Sequence, residues 1–298
     1  MVQGISIHIG INEIDEEHYG KFESLNFAVR DAQNMADLAK SADFKEFYIL
    51  ADKVKPPKSK DVIDKIEYAS KKLKDGDILL VTFSGHGAQI TGKFEESFDQ
   101  TWCLNDRQLL DDELAYLWST FEKGVRILFI SDSCHSGTMV ALTETLIEKE
   151  KKVRARGSKR RIKRLPDGDG DSIVKKHPEI YNPVIQDLKQ KLIDSGSSIF
   201  KEAIEKKGVK VISISACQDF EDAIEDINNG VFTAALKQVW YGVKNPAFGA
   251  KGKFQGDYKN FYEEVKKITL DLNPEQQPNC VKIGQKVEDF EIQKVFKI

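Results

Sequence analysis

The chain of 298 residues carries 45 Lys plus Arg against 48 Asp plus Glu, and a net charge of -3 argues against a nucleic-acid binder driven by bulk charge. Apolar residues make up 40% and aromatic residues 9%, enough to bury one large core or two smaller ones and unlike the composition of a disordered protein. The longest apolar runs, 78–83 and 125–130, fall far short of the roughly 20 residues a membrane span needs, so no membrane partner is expected. The N-terminus has neither a basic stretch nor a long apolar one, which makes a reducing cytoplasm the expected location. Four scattered cysteines (Cys103, Cys134, Cys217, Cys280) form no CxxC pair and disfavour a zinc site or a disulfide framework.

In chain order, residues 4–11 place Ile5, Ile7, Ile9 and Ile11 at strand spacing, and residues 26–40 place Val29, Ala32, Ala36 and Ala39 at helical spacing. Residues 47–50 form a second strand, and residues 59–61 cap a helix running to Leu73 with Val62, Ile66 and Ala69 on one face. The turn at 75–77 precedes the continuous apolar run 78–83, suited to a strand covered on both sides. Residues 111–121 make the next helix and 125–130 another buried strand. Strands alternating with helices imply α/β architecture with a mostly parallel central sheet flanked by helices, and ligands in such sheets bind beyond the carboxyl ends of the strands. After the midpoint, 210–215 reads as one more strand and 232–241 as a helix with Phe232, Leu236, Val239 and Trp240 inward.

Charge is unevenly spread. Residues 148–164 hold ten Lys or Arg and two Glu, a local +8 that leaves the remainder at about -11. With the turn-forming run 165–172, this reads as an exposed loop. It is a solvated insertion, an anion-binding patch, or a cleavage site for a protease that cuts after basic residues. No aromatic residue lies in the stretch to stack bases, so nucleic acid ranks last as a partner. A calcium loop on Asp167, Asp169 and Asp171 is set aside, because Ser172 and Pro178 stand where the pattern wants Gly and Glu.

Two consecutive buried strands end in chemistry. Residues 84–87 (Ser-Gly-His-Gly) follow the third strand, and residues 131–137 (Ser-Asp-Ser-Cys-His-Ser-Gly) follow the fourth. On one sheet edge His86 and Cys134 come within reach of each other, the arrangement that activates a thiol whose ordinary pKa is near 8.5. The amides of Gly87 and Cys134 can jointly hold a tetrahedral oxyanion. Each residue alone has an ordinary reading: a His between glycines as a loop residue, a Cys at a strand end as a small buried hydrophobe.

These paired motifs, with the run 212–219 and the residues Ala223, Glu225, 230–233, Ala235 and Leu236, resemble caspase-like cysteine peptidases of the metacaspase type. The resemblance covers about 3–140 and 208–240. It implies a caspase-like three-layer α/β/α fold in a single domain over 1–298, with a large-subunit-like region at 1–147, a basic, partly flexible linker at 148–207 and a small-subunit-like region at 208–298. It implies Cys134 as nucleophile, His86 as general acid/base, and a specificity (S1) pocket for Arg or Lys made by Asp31, Ser84 and Asp132. A desolvated cation needs carboxylate partners whatever the family. Ser213 and Ser215 are expected beside the substrate groove, although Ser215 and Cys217 read equally well as small residues packed beside a sheet.

The same resemblance makes the chain a peptidase acting on proteins with a basic residue before the cut (P1), through a thioester acyl-enzyme. Its linker then contains its own substrate, with Lys152, Arg154, Arg156, Lys159, Arg160, Arg161, Lys163 and Arg164 as cleavage candidates. Cutting by itself or by an upstream protease makes it a zymogen. The alternative is a catalytically silent caspase-like scaffold. No cofactor is expected to be required. Many relatives use calcium, and Asp99, Asp111 and Asp112 map to three of its four acidic positions, but Ala141 stands at the fourth, so calcium dependence is expected to be weak or absent. Carboxylates at a helix start also account for Asp111 and Asp112. Ala28 replaces a Cys found in some relatives, leaving Cys134 as the nucleophile candidate. A monomer is expected.

Overall fold

The computed structural model describes residues 2–51, 54–94, 98–133, 161–163, 165, 169–217, 223–225, 229–244, 246–247 and 249–298. The main sheet has six strands: β1 (Gly4–Gly10), β2 (Glu46–Leu50), β3 (Ile78–Ser84), β7 (Arg126–Asp132), β8 (Lys210–Ser215) and β9 (Asn279–Ile283). They lie in the order β2-β1-β3-β7-β8-β9, parallel throughout except for β9, which runs antiparallel to β8. A second, antiparallel sheet of β4 (Gly87–Thr91), β5 (Phe98–Cys103) and β6 (Gln108–Leu110) grows out of the 84–87 motif.

Strand alternation builds two apolar layers. Ile5, Ile7, Ile9, Leu79, Val81, Phe83, Ile127 and Phe129 face helices α3 (Ser59–Lys72), α4 (Asp111–Ser119), α6 (Pro178–Asp194) and α7 (Phe200–Lys207). Ile78, Leu80, Leu128, Ile130, Ile212 and Ile214 face α2 (Ala28–Ser41), α8 (Val231–Tyr241) and α9 (Tyr258–Leu272). Two short helices, α1 (Glu16–Tyr19) and α10 (Glu288–Glu291), lie outside this frame. The result is the three-layer α/β/α arrangement expected of the sequence. The central strands β1, β3 and β7 are buried along their whole length, which is why β3 and β7 read as mostly apolar runs, while in β1 the buried His8 bonds to Ser6 and Thr82.

The structure departs from the sequence reading after the basic stretch. Residues 165–172, read as an exposed loop, include buried Leu165 and Gly170, and helix α5 (Asp169–Lys176) begins within them. Asp171 fixes this helix to the small sheet by accepting from the Thr91 amide (3.1 Å) and hydroxyl (2.6 Å), while Ile173 and Val174 are buried. The expected linker is therefore helical over most of its second half: α6 buries Tyr181, Leu188 and Leu192, and α7 buries Phe200, Ala203 and Ile204. Pro183 inside α6 hides that helix from a propensity reading.

Candidate active site

β3 and β7 are neighbours, and their register pairs Ser84 with Asp132 at the carboxyl ends. The two motifs thus share one sheet edge. Parallel pairing sets this, because residues equally placed along two adjacent buried strands must emerge together. Asp31 enters from the first turn of α2, fully buried, and accepts from the Ser84 hydroxyl at 2.8 Å. Asp132 accepts at one oxygen from the amide (3.1 Å) and hydroxyl (2.6 Å) of Thr233, at the start of α8. Gly230 donates its amide to both oxygens of Asp31 at 3.1 Å. A Cβ at 230 would overlap the Asp132 carboxylate and the group lying between the two acids, so glycine is required there.

That group is the ammonium of Lys163. Its Nζ lies 2.9 Å from Ser84 Oγ, 3.0 Å from Asp31 Oδ2 and 3.1 Å from Asp132 Oδ1, and the side chain is 0% exposed. Exposure was the sequence expectation for this cleavage candidate, and it fails for a physical reason: two carboxylates and a hydroxyl replace the water an ammonium would lose on burial. Burial pushes the Asp31 carboxyl up to about 6, with Lys163 pulling the other way and Asp132 pushing up. Burial alone would lower the Lys163 ammonium, but Asp132, Asp31 and Glu225 overcome it and raise it above the ordinary lysine value.

The backbone around Lys163 is held as an added strand. Glu225 N donates to Arg161 O (3.0 Å), Lys163 N donates to Ala223 O (2.9 Å), and Ile162 bridges Ile224 in antiparallel sense. On the other side Gly87 N donates to Lys163 O (3.0 Å), and Leu165 N donates to Gly87 O (2.9 Å). The amide of Gly87, expected to face an oxyanion, therefore faces the carbonyl of Lys163.

His86 is buried and its Nε2 bonds to the Glu23 carbonyl at 3.0 Å. A carbonyl only accepts, so Nε2 carries the proton and Nδ1 the lone pair, the tautomer a general base needs. Cys134 lies outside the described residues, as do Lys152, Arg154, Arg156, Lys159, Arg160 and Arg164. Ser133, the residue before Cys134, accepts at its carbonyl from Cys217 Sγ at 3.5 Å. Ser213 and Ser215 are buried along β8, and Ser215 Oγ donates to Cys217 O at 3.3 Å. Arg161 lies beside Glu23 and keeps its side chain out of the Lys163 pocket.

Asp99, Asp111 and Asp112 offer carboxylate oxygens within 4.8 Å of one another. Such hard oxygen donors suit calcium. Asp99 already accepts from Lys93 N (2.9 Å), and Asp111 from Gln100 N and Asp112 N (both 2.9 Å). Burial pushes the Asp99 carboxyl up to about 6. Position 141 lies outside the described residues.

Sequence reading assigned no role to Gly230, Thr233, Ala223, Glu225 or Glu23. The first four lie in segments that carried the family resemblance, but only the tertiary contacts show what each does.

The fold and its paired strand-end motifs are similar to those of caspase-like cysteine peptidases. Residues 6–143 match the family model described as the metacaspase peptidase C14 domain. The chain is 25% identical over 260 residues to metacaspase-1 of Meyerozyma guilliermondii, covering 79% of this chain and 60% of that protein. It is 29% identical over 152 residues to metacaspase-1 of Kluyveromyces lactis, covering 46% and 34%. A crystal structure of a protein from Geobacter sulfurreducens superposes with a TM-score of 0.75 at 29% identity over 99% of both chains. Over residues 6–143 the chain is thus similar to the metacaspase-type caspase-like peptidases. It spans 34% and 60% of the lengths of the Kluyveromyces lactis and Meyerozyma guilliermondii proteins, under two thirds in each case. No helix among the described residues is long and apolar enough to cross a membrane.

Proposed function

We propose that this chain is a cysteine endopeptidase that cuts proteins after Lys or Arg and that it is held as a zymogen by its own Lys163. The observation that carries the reading is the seating of Lys163: its ammonium between Asp31, Ser84 and Asp132, its carbonyl on the Gly87 amide. Asp31, Ser84 and Asp132 are the S1 residues that the family resemblance implies, and Gly87 is an oxyanion donor that the strand-end motif offers. A peptide whose side chain fills an acidic pocket while its carbonyl meets an oxyanion donor is placed as a substrate is placed.

In the proposed reaction the Cys134 thiolate attacks the carbonyl carbon of Lys163, and the Gly87 amide stabilises the oxygen as it gains charge. The His86 imidazolium then gives its proton to the departing amide nitrogen as the bond after Lys163 breaks, leaving a thioester. Water, deprotonated by His86, attacks that thioester; the thiolate leaves and Lys163 ends as a carboxylate. Before this cut the pocket is filled and external substrates are excluded. Two carboxylates accommodate arginine as well as lysine. No cofactor is needed for these steps. Asp99, Asp111 and Asp112 would hold calcium weakly, because the Asp99 and Asp111 carboxylates already accept from backbone amides. A monomer working in the cytoplasm completes the reading, and an upstream protease remains an alternative source of the first cut.

The test is to incubate purified chain and its Cys134→Ala variant, map new termini by mass spectrometry, and assay peptides ending in Lys, Arg or Asp. Cleavage after Lys163 that disappears in the variant, followed by turnover of Lys and Arg peptides only, is expected. Persistent cleavage in the purified variant, or no turnover by protein cut after Lys163, refutes the reading and favours a silent scaffold.

A further inference from the structure

The linker residues that flank Lys163 are seated as well, and their seats differ in chemistry. Arg161, two residues before Lys163, donates Nη1 to the Ser24 carbonyl and places Nε 3.2 Å from Glu23 Oε1. Its own carbonyl accepts from Glu225 N, and the Glu225 carboxylate accepts from the amides of Asn26 (2.8 Å) and Phe27 (2.7 Å). The strand carrying Arg161 and the loop receiving its guanidinium are thus tied together through one residue. Ile162, between the two cations, is 40% exposed and fills no pocket, whereas Leu165 is 1% exposed and joins the apolar cluster that includes Phe83, Ala88 and Trp102.

The Glu23–Ser24 loop also borders a cavity of about 180 Å³ walled by Glu13, Glu16, Glu23 and His86 among others. Three carboxylates around one small cavity repel one another and favour a cationic occupant. The Arg161 guanidinium meets two residues of its wall, reaching the Glu23 carboxylate and the Ser24 carbonyl, the acceptor set that arginine's several N–H donors match.

We infer that Glu23 and the Ser24 carbonyl form a second specificity site, two residues before the cut (P3), that selects a basic side chain, so the preferred substrates are segments with Arg or Lys at both P3 and P1. This deepens the proposed function and rests on its placing Lys163 at P1. It separates the linker's basic residues chemically: one cation enters a dry pocket, the next lies on a wet acidic rim. Glu23 has two separate tasks, since its backbone carbonyl orients His86 while its carboxylate meets Arg161. A side-chain substitution at 23 addresses only the second.

Because the Glu23 side chain is 69% exposed, the selection is modest, about tenfold for the whole seat and about threefold for the carboxylate. The experiment compares kcat/KM for peptides with Lys at P1 and Arg, Ala or Glu at P3, using protein cut after Lys163, with wild type, Glu23→Gln and Glu23→Arg. Expected is a preference for P3 Arg over Ala of about tenfold in wild type, falling to about threefold in Glu23→Gln and shifting towards P3 Glu in Glu23→Arg. Equal rates for the three peptides in wild type, or the same ratios in all three proteins, overturn the inference while leaving cleavage after lysine intact. The same labelled peptides are also titrated by fluorescence anisotropy into Cys134→Ala/Lys163→Ala protein, whose pocket is vacated. Tighter binding of the P3 Arg peptide there upholds the second site even where no peptide is turned over, an outcome that would sink only the peptidase reading. Equal binding of all three peptides overturns the second site.

Discussion

Replacing Lys163 by Met in a Cys134→Ala background isolates the energetics of the filled pocket from any cleavage. The methionine keeps most of the side-chain volume but removes a charge that lies 3.0 Å from Asp31 and 3.1 Å from Asp132. At an effective dielectric of about 20, each such pair is worth roughly 5 kcal/mol in gross Coulomb energy, against which stands the cost of drying an ammonium and two carboxylates. The net of the intact cluster is therefore small, but stripping out one partner leaves two buried carboxylates facing each other. That loss is expected to be about 3–5 kcal/mol. Urea unfolding at neutral pH measures it, as a lower midpoint with an unchanged slope. The deficit should shrink at pH 5. Burial already raises Asp31 to about 6 with the lysine present, and without it the native state binds a proton more readily than the unfolded chain does. A raised folded pKa contributes stability below the unfolded value and loses it as pH rises through the folded one, so the variant gains on acidification. A Lys163→Arg protein retains the charge and should lose less. An unchanged midpoint in Lys163→Met, or a deficit that grows at pH 5, would refute the buried three-way contact.

Further outcomes are expected at the same site and beyond it. Gly230→Ala should keep the fold, seen as a retained cooperative thermal transition, yet lower kcat/KM for Lys and Arg peptides by about 100-fold, because its methyl occupies the space of the P1 ammonium; wild-type turnover would disprove the assigned pocket. As pH falls below about 6, Asp31 takes a proton and the pocket loses negative charge, so KM for a P1 Lys peptide should rise while that of a neutral P1 citrulline analogue stays flat. Parallel curves for the two peptides would count against Asp31. Glu113 accepts both guanidinium nitrogens of buried Arg107 at 2.7 Å, and Glu113→Ala should destabilise by about 3–5 kcal/mol in urea, a loss under 1 kcal/mol contradicting this. Peptide turnover in calcium and in chelator should agree within about twofold, since the carboxylates of Asp99 and Asp111 are committed to amides, and collapse in chelator would make the acidic cluster a required metal site.

The sheet and the chemistry at its edge were legible in the sequence because their signals are local. A strand covered on both faces is mostly apolar, as residues 78–81 and 127–130 are, and in an alternating α/β chain the residues that follow such strands emerge at one edge. The 84–87 and 131–137 motifs needed no further information to be placed together. Less visible were β4, β5 and β6, short strands whose residues are buried by contact with one another and with the main sheet, as where Trp102 stacks on Phe83 at 4.4 Å. Helix α5 begins in a run of Asp and Gly that locally favours turns, and it forms because Ile173 and Val174 are buried and Asp171 bonds to Thr91.

Through its family resemblance the sequence implied that Asp31 and Asp132 would meet a cation, and its composition made the basic stretch conspicuous. It did not determine which cation. Ten Lys or Arg in residues 148–164 are nearly equivalent by composition, and local propensity contains nothing to rank them. Tertiary structure decided for Lys163 over Arg161, the other described basic residue of the stretch, because at Lys163 the Ala223 carbonyl and the Gly87 amide fix the backbone while Gly230 leaves room for the ammonium. Those partners lie 60 to 76 positions away along the chain, Ala223 and Gly87 on opposite sides of it. A contact at that separation exists only once the sheet has brought the strand ends together, and so it leaves no periodicity in the sequence to be read.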